Sequence, residues 1–123
     1  MVTPDNIEKL EPGQIFVFGS NFLGHHSGGA AKLAFEKFGA KWGIGEGLQG
    51  RSYAFPTLNS EMENRTDNEL KESVKRLYWC IELHPCLTFF LTRVGCGIAS
   101  FNESYMIELF QDSPPNLVKP ERW

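Results

Sequence analysis

Glycine-rich segments follow two short apolar runs of the sequence, and their composition suits phosphate binding. The first segment runs from Gly19 to Gly29, after residues 15–18, and the second runs from Gly95 to Ser100, after residues 87–92. Glycine lets a phosphate approach the backbone closely, and the unpaired N–H groups at a helix start attract anions. Tight turns alone would explain either segment. Because both segments have this character, we predict a pocket between them for a phosphate-bearing nucleotide.

Two common phosphate-binding motifs are incomplete in this chain. Gly24 and Gly29 have the glycine spacing of a P-loop, but Ala30 and Ala31 stand where Lys and Ser or Thr are required. Residues 45–50 match the dinucleotide pattern of three glycines, but a predicted strand follows them where the motif needs a helix. We therefore reject both motifs.

Three further side chains near these segments are candidate ligand contacts. Asn21 follows an apolar run and is placed to bond a ribose hydroxyl, although Asn is also an ordinary turn residue. Gln49, in a third glycine-rich stretch, is a weaker candidate. Phe101 follows the second segment, where it would either cover a ribose or base or pack in the core.

His25, His26 and Cys96 are the reactive side chains of the two segments. Adjacent histidines in a loop usually point apart, and no Cys/His cluster with ligand spacing accompanies them, so we predict no metal site. Either histidine is a candidate acid or base toward a bound ligand. A helix start would lower the pKa of the Cys96 thiol and favour a nucleophile, but we prefer to interpret Cys96 as a small residue in a crowded loop.

The composition limits the classes of protein to which this chain can belong. Its 123 residues suit one domain, and its net charge of −3 argues against a general nucleic-acid coat protein. The three cysteines are an odd number without a C-x-x-C motif, which indicates a reducing compartment. Met1–Asp5 has no signal-peptide character, and no apolar run is long enough to span a membrane. We expect a cytoplasmic protein with no cofactor and no membrane partner.

Strand and helix patterns alternate along the chain. Strands are predicted at 15–18, 52–57 and 87–92, with a short edge strand at 116–119, and helices at 29–38, 66–84 and 101–110. Gly39 should end the first helix, and the pairs Thr66–Glu69 and Ser100–Glu103 should form capping boxes before the other two. Such alternation predicts a single α/β domain, residues 1–123, with a largely parallel sheet.

The ordered motifs resemble the macro domain family, whose members bind ADP-ribose and in several cases cleave it from proteins, nucleic acids or acetyl groups. The resemblance rests on residues 17–24 with 28–31, on the middle segment 45–57, and on 93–99, and it covers about residues 14–118. The Arg-x-Gly-Cys-Gly-aliphatic form of 93–98 is similar to the branch containing terminal ADP-ribose glycohydrolases and antitoxins that remove ADP-ribose from DNA. It implies a three-layer α/β/α fold with one or two peripheral strands missing.

The resemblance also implies roles for individual residues. Asn21 would bond the distal ribose, residues 28–30 would line the first phosphate loop, and residues 95–100 would hold the pyrophosphate, with Phe101 beside the ribose. Together with the residue types, it predicts the following ligand-binding residues: Gly19, Ser20, Asn21, Gly28, Gly29, Ala30, Gln49, Thr57, Arg93, Gly95, Cys96, Gly97, Ile98, Ala99, Ser100 and Phe101. Asn21 and His25 are the candidate catalytic residues.

Some positions differ from the branch that the chain resembles. Leu58 and Ala99 stand where that branch has its catalytic Lys and Asp, and only Asp5 or Glu11 could supply the acidic residue that holds the adenine amine. The resemblance as a whole still implies ADP-ribose or an ADP-ribosylated macromolecule as the partner of this chain. Three functions stay open: a hydrolase acting on modified protein, DNA or ADP-ribose 1″-phosphate; a non-catalytic reader or sequestering module for ADP-ribose or a related signal nucleotide; and a structural or assembly protein with no ligand.

Overall fold

A computed structural model describes all 123 residues of the chain. It contains five strands and three helices, which confirms the predicted α/β class. In chain order the elements are β1 (Gln14–Asn21), α1 (Gly29–Lys37), β2 (Gly47–Gln49), β3 (Ser52–Leu58), α2 (Asp67–Leu83), β4 (Thr88–Leu91), α3 (Glu103–Leu109) and β5 (Leu117–Val118).

The five strands form one sheet in the order β2-β3-β1-β4-β5. β1 lies at its centre and pairs in parallel with β3 and β4, and β5 pairs in parallel with β4. Only β2 runs antiparallel, at the edge beside β3. The carboxyl ends of β1, β3 and β4 therefore meet at one edge of the sheet, which is where open α/β sheets bind ligands.

Alternate residues of β1 enter two separate cores because successive side chains of a strand point to opposite faces. Ile15 and Val17 pack in the larger core, with the apolar faces of α2 and α3. Phe16 and Phe18 pack in the smaller core, with Ala34 and Phe38 from the α1 region. The helices thus cover both faces of the sheet in three layers. None of them has the length and apolar character that crossing a membrane requires.

Local signals predicted most elements, but one strand was missed. Residues 47–49 were expected to be loop and instead form β2, a three-residue strand that pairs with residues 52–54 of β3. The pairing partner lies just beyond a turn at Gly50 and Arg51. Glycine-rich composition gave no indication of this strand, since β2 depends on its neighbour rather than on its own propensity.

One predicted capping box forms and the other does not. Thr66 and Glu69 cap each other at the start of α2. At α3 the expected Ser100–Glu103 box is wrong, because Asn102 is the cap and its side chain accepts a hydrogen bond from the Ser104 N–H at 2.9 Å. Ser100 adopts a left-handed φ of 58° and its hydroxyl donates to the Gly97 carbonyl at 3.1 Å.

Candidate ligand-binding site

A cleft of about 230 Å³ opens where the carboxyl ends of β1, β3 and β4 meet. Two of its walls are the glycine segments, hereafter the first loop (residues 19–29) and the second loop (residues 95–100). Its lining residues are Gly19, Ser20, Asn21, His25, Ser27, Gly28, Gly29, Ala30, Ala31, Thr57, Leu58, Met62, Thr92, Arg93, Val94, Gly95, Gly97, Ile98 and Ala99. The fold therefore brings the two predicted loops together on one cleft.

Most of the predicted ligand residues line this cleft, and four do not: Gln49, Cys96, Ser100 and Phe101. Gln49 is buried elsewhere, where its Oε1 accepts from the Lys41 N–H at 2.6 Å and its Nε2 donates to the Ile44 carbonyl at 3.3 Å. Its side chain thus holds the segment 41–47 in place. The prediction of Gln49 as a ligand contact finds no support in its position.

The other three residues that do not line the cleft lie in the second loop, as Cys96 and Ser100 do, or directly after it, as Phe101 does. Phe101 packs against the larger core and stacks with Tyr105 at a centroid distance of 5.9 Å, so its core-packing interpretation fits the structure. Cys96 lies well before the start of α3, and burial, reinforced by the charge of Glu103, raises the pKa of its thiol. The lowered pKa that a helix start would cause is therefore wrong for Cys96.

Asn21 uses its amide to hold the first loop. Its Oδ1 accepts from the His25 N–H at 2.9 Å, and its Nδ2 donates to the His25 carbonyl at 2.9 Å. The side chain is buried at the end of β1. One amide hydrogen and one lone pair remain for a ligand. Asn21 therefore positions His25 at the cleft in addition to lining the cleft itself.

The two adjacent histidines have different surroundings. His25 is exposed on the cleft wall, and its ring stacks on Trp42 with centroids 5.2 Å apart and planes at 12°. His26 is only 1% exposed, and its Nε2 lies 2.8 Å from the Lys41 carbonyl, which requires Nε2 to carry the hydrogen. Its Nδ1 is buried and has no protein partner. Only His25 is available to a ligand.

Close backbone packing fixes the first loop against residues 43–45. Gly24 has a φ of 73°, and a side chain there would overlap the backbone of Ile44. The Gly24 carbonyl accepts from the Gly43 N–H at 2.9 Å, and the Ser20 hydroxyl donates to the Gly45 carbonyl at 2.5 Å. Gly45 is required on the other side of this contact, because a Cβ there would lie 2.3 Å from the carbonyl oxygen of Phe22.

Several residues that line this cleft have backbone N–H groups without protein partners. At the start of α1 they belong to Gly29, Ala30 and Ala31, since the cap residue Gly28 has no side chain to satisfy them. In the second loop they belong to Gly95, Gly97, Ile98 and Ala99. Such groups are hydrogen-bond donors with partial positive charge, and they are the usual backbone ligands of phosphate.

The electrostatic character of the cleft also favours an anion. No Asp or Glu lines the cleft, although the chain contains 15 of them and carries a net charge of −3. Arg93 is the one lining residue with a permanent positive charge, and it forms an ion pair with Glu103 at 2.5 Å. A hydrogen bond from the Trp123 indole, followed by Arg93, lowers the pKa of Glu103. Trp123 is thus a packed residue that supports this pair.

A second pocket, of about 410 Å³, adjoins the cleft and shares Gly29, Ala30 and Thr92 with it. Its wall includes the apolar side chains of Ile7, Phe16 and Leu33. Asp5 and Asn6 also line it, whereas Glu11 does not. Of the two acidic residues considered from the sequence, only Asp5 therefore lies next to the cleft.

Sequence reasoning missed several lining residues, of which Met62 is the most distant from the motifs. Met62 has a φ of 62° in a turn where the Asn59 side chain accepts from the N–H groups of Glu61 and Glu63. An Asn that opens a polar loop signals such a turn, but nothing in the sequence indicates that the turn faces the cleft.

Comparison with models of protein families, with characterised proteins and with solved structures returns no match to this chain. The geometry of the cleft itself therefore carries the functional proposal.

Proposed function

We propose that this chain binds ADP-ribose in the cleft between its two glycine loops. The observation that carries the proposal is the set of unpartnered N–H groups on two sides of a cleft that no carboxylate lines; they belong to Gly29, Ala30 and Ala31 on one side and to Gly95, Gly97, Ile98 and Ala99 on the other. A pyrophosphate has acceptor oxygens on two sides and needs donors from two walls. The resemblance of both loops to those of macro domains supports the same ligand.

The adjoining pocket supports an adenine next to the pyrophosphate. The cleft alone, at about 230 Å³, is smaller than the roughly 300–1,000 Å³ of ordinary small-molecule sites, and the second pocket of about 410 Å³ supplies the missing room. Phe16 and Leu33 offer apolar contacts for a base, and the Asp5 carboxylate can accept a hydrogen bond from the exocyclic amine. The terminal ribose then lies toward Asn21 and His25.

The side chains around the terminal ribose favour binding over hydrolysis. Leu58 and Ala99, at the positions of the Lys and Asp in the resembling branch, are buried and line the cleft. Neither can transfer a proton or activate water. His25 is the one lining residue with an imidazole, the side chain that enzymes use most often as a general acid or base. A hydrolytic activity, the second candidate function, would therefore depend on His25.

A thermal-shift screen with ADP-ribose, ATP and cyclic nucleotides tests the binding proposal. ADP-ribose at 100 times its dissociation constant should raise the free energy of unfolding by about 2.7 kcal/mol. The protein should then be incubated with ADP-ribosylated protein, ADP-ribosylated DNA and ADP-ribose 1″-phosphate. Binding without turnover identifies a reader, and turnover that is lost in His25→Phe identifies a hydrolase. Absence of any shift with ADP-ribose contradicts both functions.

A further inference from the structure

A pair of stacked rings borders the ribose end of the cleft. His25 lines the cleft, and Trp42 lies behind its ring in a nearly parallel stack, with planes at 12°. Trp42 is itself held edge-on by Phe35 at 5.7 Å and by His26 at 6.4 Å between ring centroids. The position of the His25 ring is therefore supported from behind by an aromatic cluster that reaches the core through His26 and Phe18.

The backbone of His25 is fixed as firmly as its ring. Both hydrogen bonds of the Asn21 amide go to the backbone of His25, one to its N–H and one to its carbonyl. Trp42 is the one aromatic ring that contacts His25, so only one face of the imidazole is covered by a ring. A planar ring that is held in this way at a cleft wall is suited to stacking on a ring of a ligand. Trp42 itself stays 53% exposed behind it.

We propose that the His25 ring, backed by Trp42, stacks on a second ring of the bound nucleotide, so that the ligands of this cleft are nicotinamide dinucleotides. The inference rests on the proposed function, because the same adenine pocket and the same loops hold the rest of the molecule. ADP-ribose ends in a hydroxyl at the terminal ribose. In NAD⁺ the same carbon carries the nicotinamide ring, which would emerge beside His25.

The lining of the cleft suits this ring in two further respects. Leu58 and Met62 give the cleft apolar surface, on which the flat nicotinamide can lose water. His25 does not line the adenine pocket, so the two rings of a dinucleotide would have separate sites.

Calorimetry with NAD⁺ and ADP-ribose tests the inference, since the two ligands differ only in the second ring. NAD⁺ should bind about fivefold more tightly, the ordinary effect of one aromatic stack. The ratio of the two dissociation constants should fall to about one in His25→Ala and in Trp42→Ala. It should be retained in His25→Phe, which keeps a planar ring. Trp79→Ala is the matched control, because Trp79 is 67% exposed on α2 and away from the cleft.

The outcomes separate this inference from the proposed function. If neither nucleotide binds, the proposed function is wrong and the inference falls with it. If ADP-ribose binds and NAD⁺ binds equally or more weakly, only the inference is overturned. It is also overturned if His25→Phe loses the preference for NAD⁺ as His25→Ala does. The thermal unfolding of each variant is measured first, and the comparison of His25→Ala with His25→Phe, which keeps a planar ring, decides the question if Trp42→Ala does not fold.

Discussion

The two loops of the cleft are both rich in glycine, but they are held in different ways. The first loop is fixed by side chains and by backbone packing: Asn21 holds His25, His26 holds Lys41, and Gly24 lies against Ile44. The second loop is held chiefly by its own turns, such as the 2.7 Å hydrogen bond from the Phe101 N–H to the Gly95 carbonyl. Its Ile98 is 79% exposed.

Because of this difference, Gly24 in the first loop and Gly97 in the second loop have different roles. In the first loop, Gly24 is needed by the fold, because no side chain fits between it and the facing backbone. In the second loop, Gly97 has open space around the position of a Cβ, and its φ is not left-handed. The fold itself does not require glycine at position 97. A phosphate that approaches the loop closely would require it. Substitution of Gly24 should mainly change stability, and substitution of Gly97 should mainly change binding.

The largest expected effect is on stability, from Gly24→Ala. The new Cβ would overlap the backbone of Ile44, and the left-handed φ of 73° adds strain. We expect the free energy of unfolding to fall by about 3 kcal/mol or more, measured by urea denaturation. Gly97→Ala is the matched control and should unfold like the wild type. Equal destabilisation by both substitutions would remove the distinction between the loops.

Gly97→Glu should have the largest effect on binding. A carboxylate among the N–H groups of Gly97, Ile98 and Ala99 would repel a pyrophosphate, and such like-charge contacts cost several kcal/mol. We expect the dissociation constant for ADP-ribose to rise about 100-fold or more, with the melting temperature almost unchanged. Gln111→Glu adds the same charge after α3, outside the cleft, and should bind normally. Normal binding by Gly97→Glu would show that the second loop does not hold the ligand.

Asn21→Ala should affect stability and binding together. It removes two hydrogen bonds to the backbone of His25, each worth about 1 kcal/mol, and frees the first loop. We expect about 2 kcal/mol of destabilisation and about tenfold weaker binding of ADP-ribose. Asn116→Ala is the matched control, because its amide donates to three carbonyls at 2.9 to 3.3 Å, including that of Leu87, away from the cleft. It should lose stability and keep full affinity.

The smallest expected effect is on the pH dependence of stability, and it comes from Glu103 of α3. The carboxylate of Glu103 forms an ion pair with Arg93, which precedes the second loop. Hydrogen bonds from Trp123 and Arg93 lower the pKa of Glu103 in the folded chain. Because the pKa of Glu103 is lower in the folded chain than in the unfolded chain, its carboxylate stabilises the fold at pH values above the ordinary pKa of Glu. This stabilisation is lost as the pH falls through the pKa that Glu103 has in the folded chain. We therefore expect wild type to be more stable than Glu103→Gln at pH 7 and the difference to vanish in acid. A constant difference across a pH series of urea titrations would contradict this.

Local patterns predicted the parts of the fold that depend on nearby residues. The apolar runs before Gly19 and Gly95 became β1 and β4, and Thr66 with Glu69 formed its capping box, because each of these signals lies within a few residues. β2 could not be predicted in this way, since its three residues are ordered by pairing with β3.

The same limit applies to the site. Both loops were predicted because glycines at strand ends are visible in the sequence, and the parallel sheet then brings them together. Three features of the site depend on contacts between distant segments: the stacking of His25 on Trp42, the turn that carries Met62 to the cleft, and the second pocket beside Asp5. Gln49 shows the converse, since a polar residue near glycines was interpreted as a ligand contact and holds a loop.

Isothermal titration of the wild-type chain and of Gly97→Glu with ADP-ribose is the decisive experiment for binding in this cleft. We expect the wild-type chain to have a single site with a dissociation constant in the micromolar range or below, which corresponds to a binding free energy of about −8 kcal/mol or better, and we expect no heat of binding in the variant. Absence of binding by the wild-type chain at millimolar ADP-ribose, or equal binding by Gly97→Glu, would contradict it.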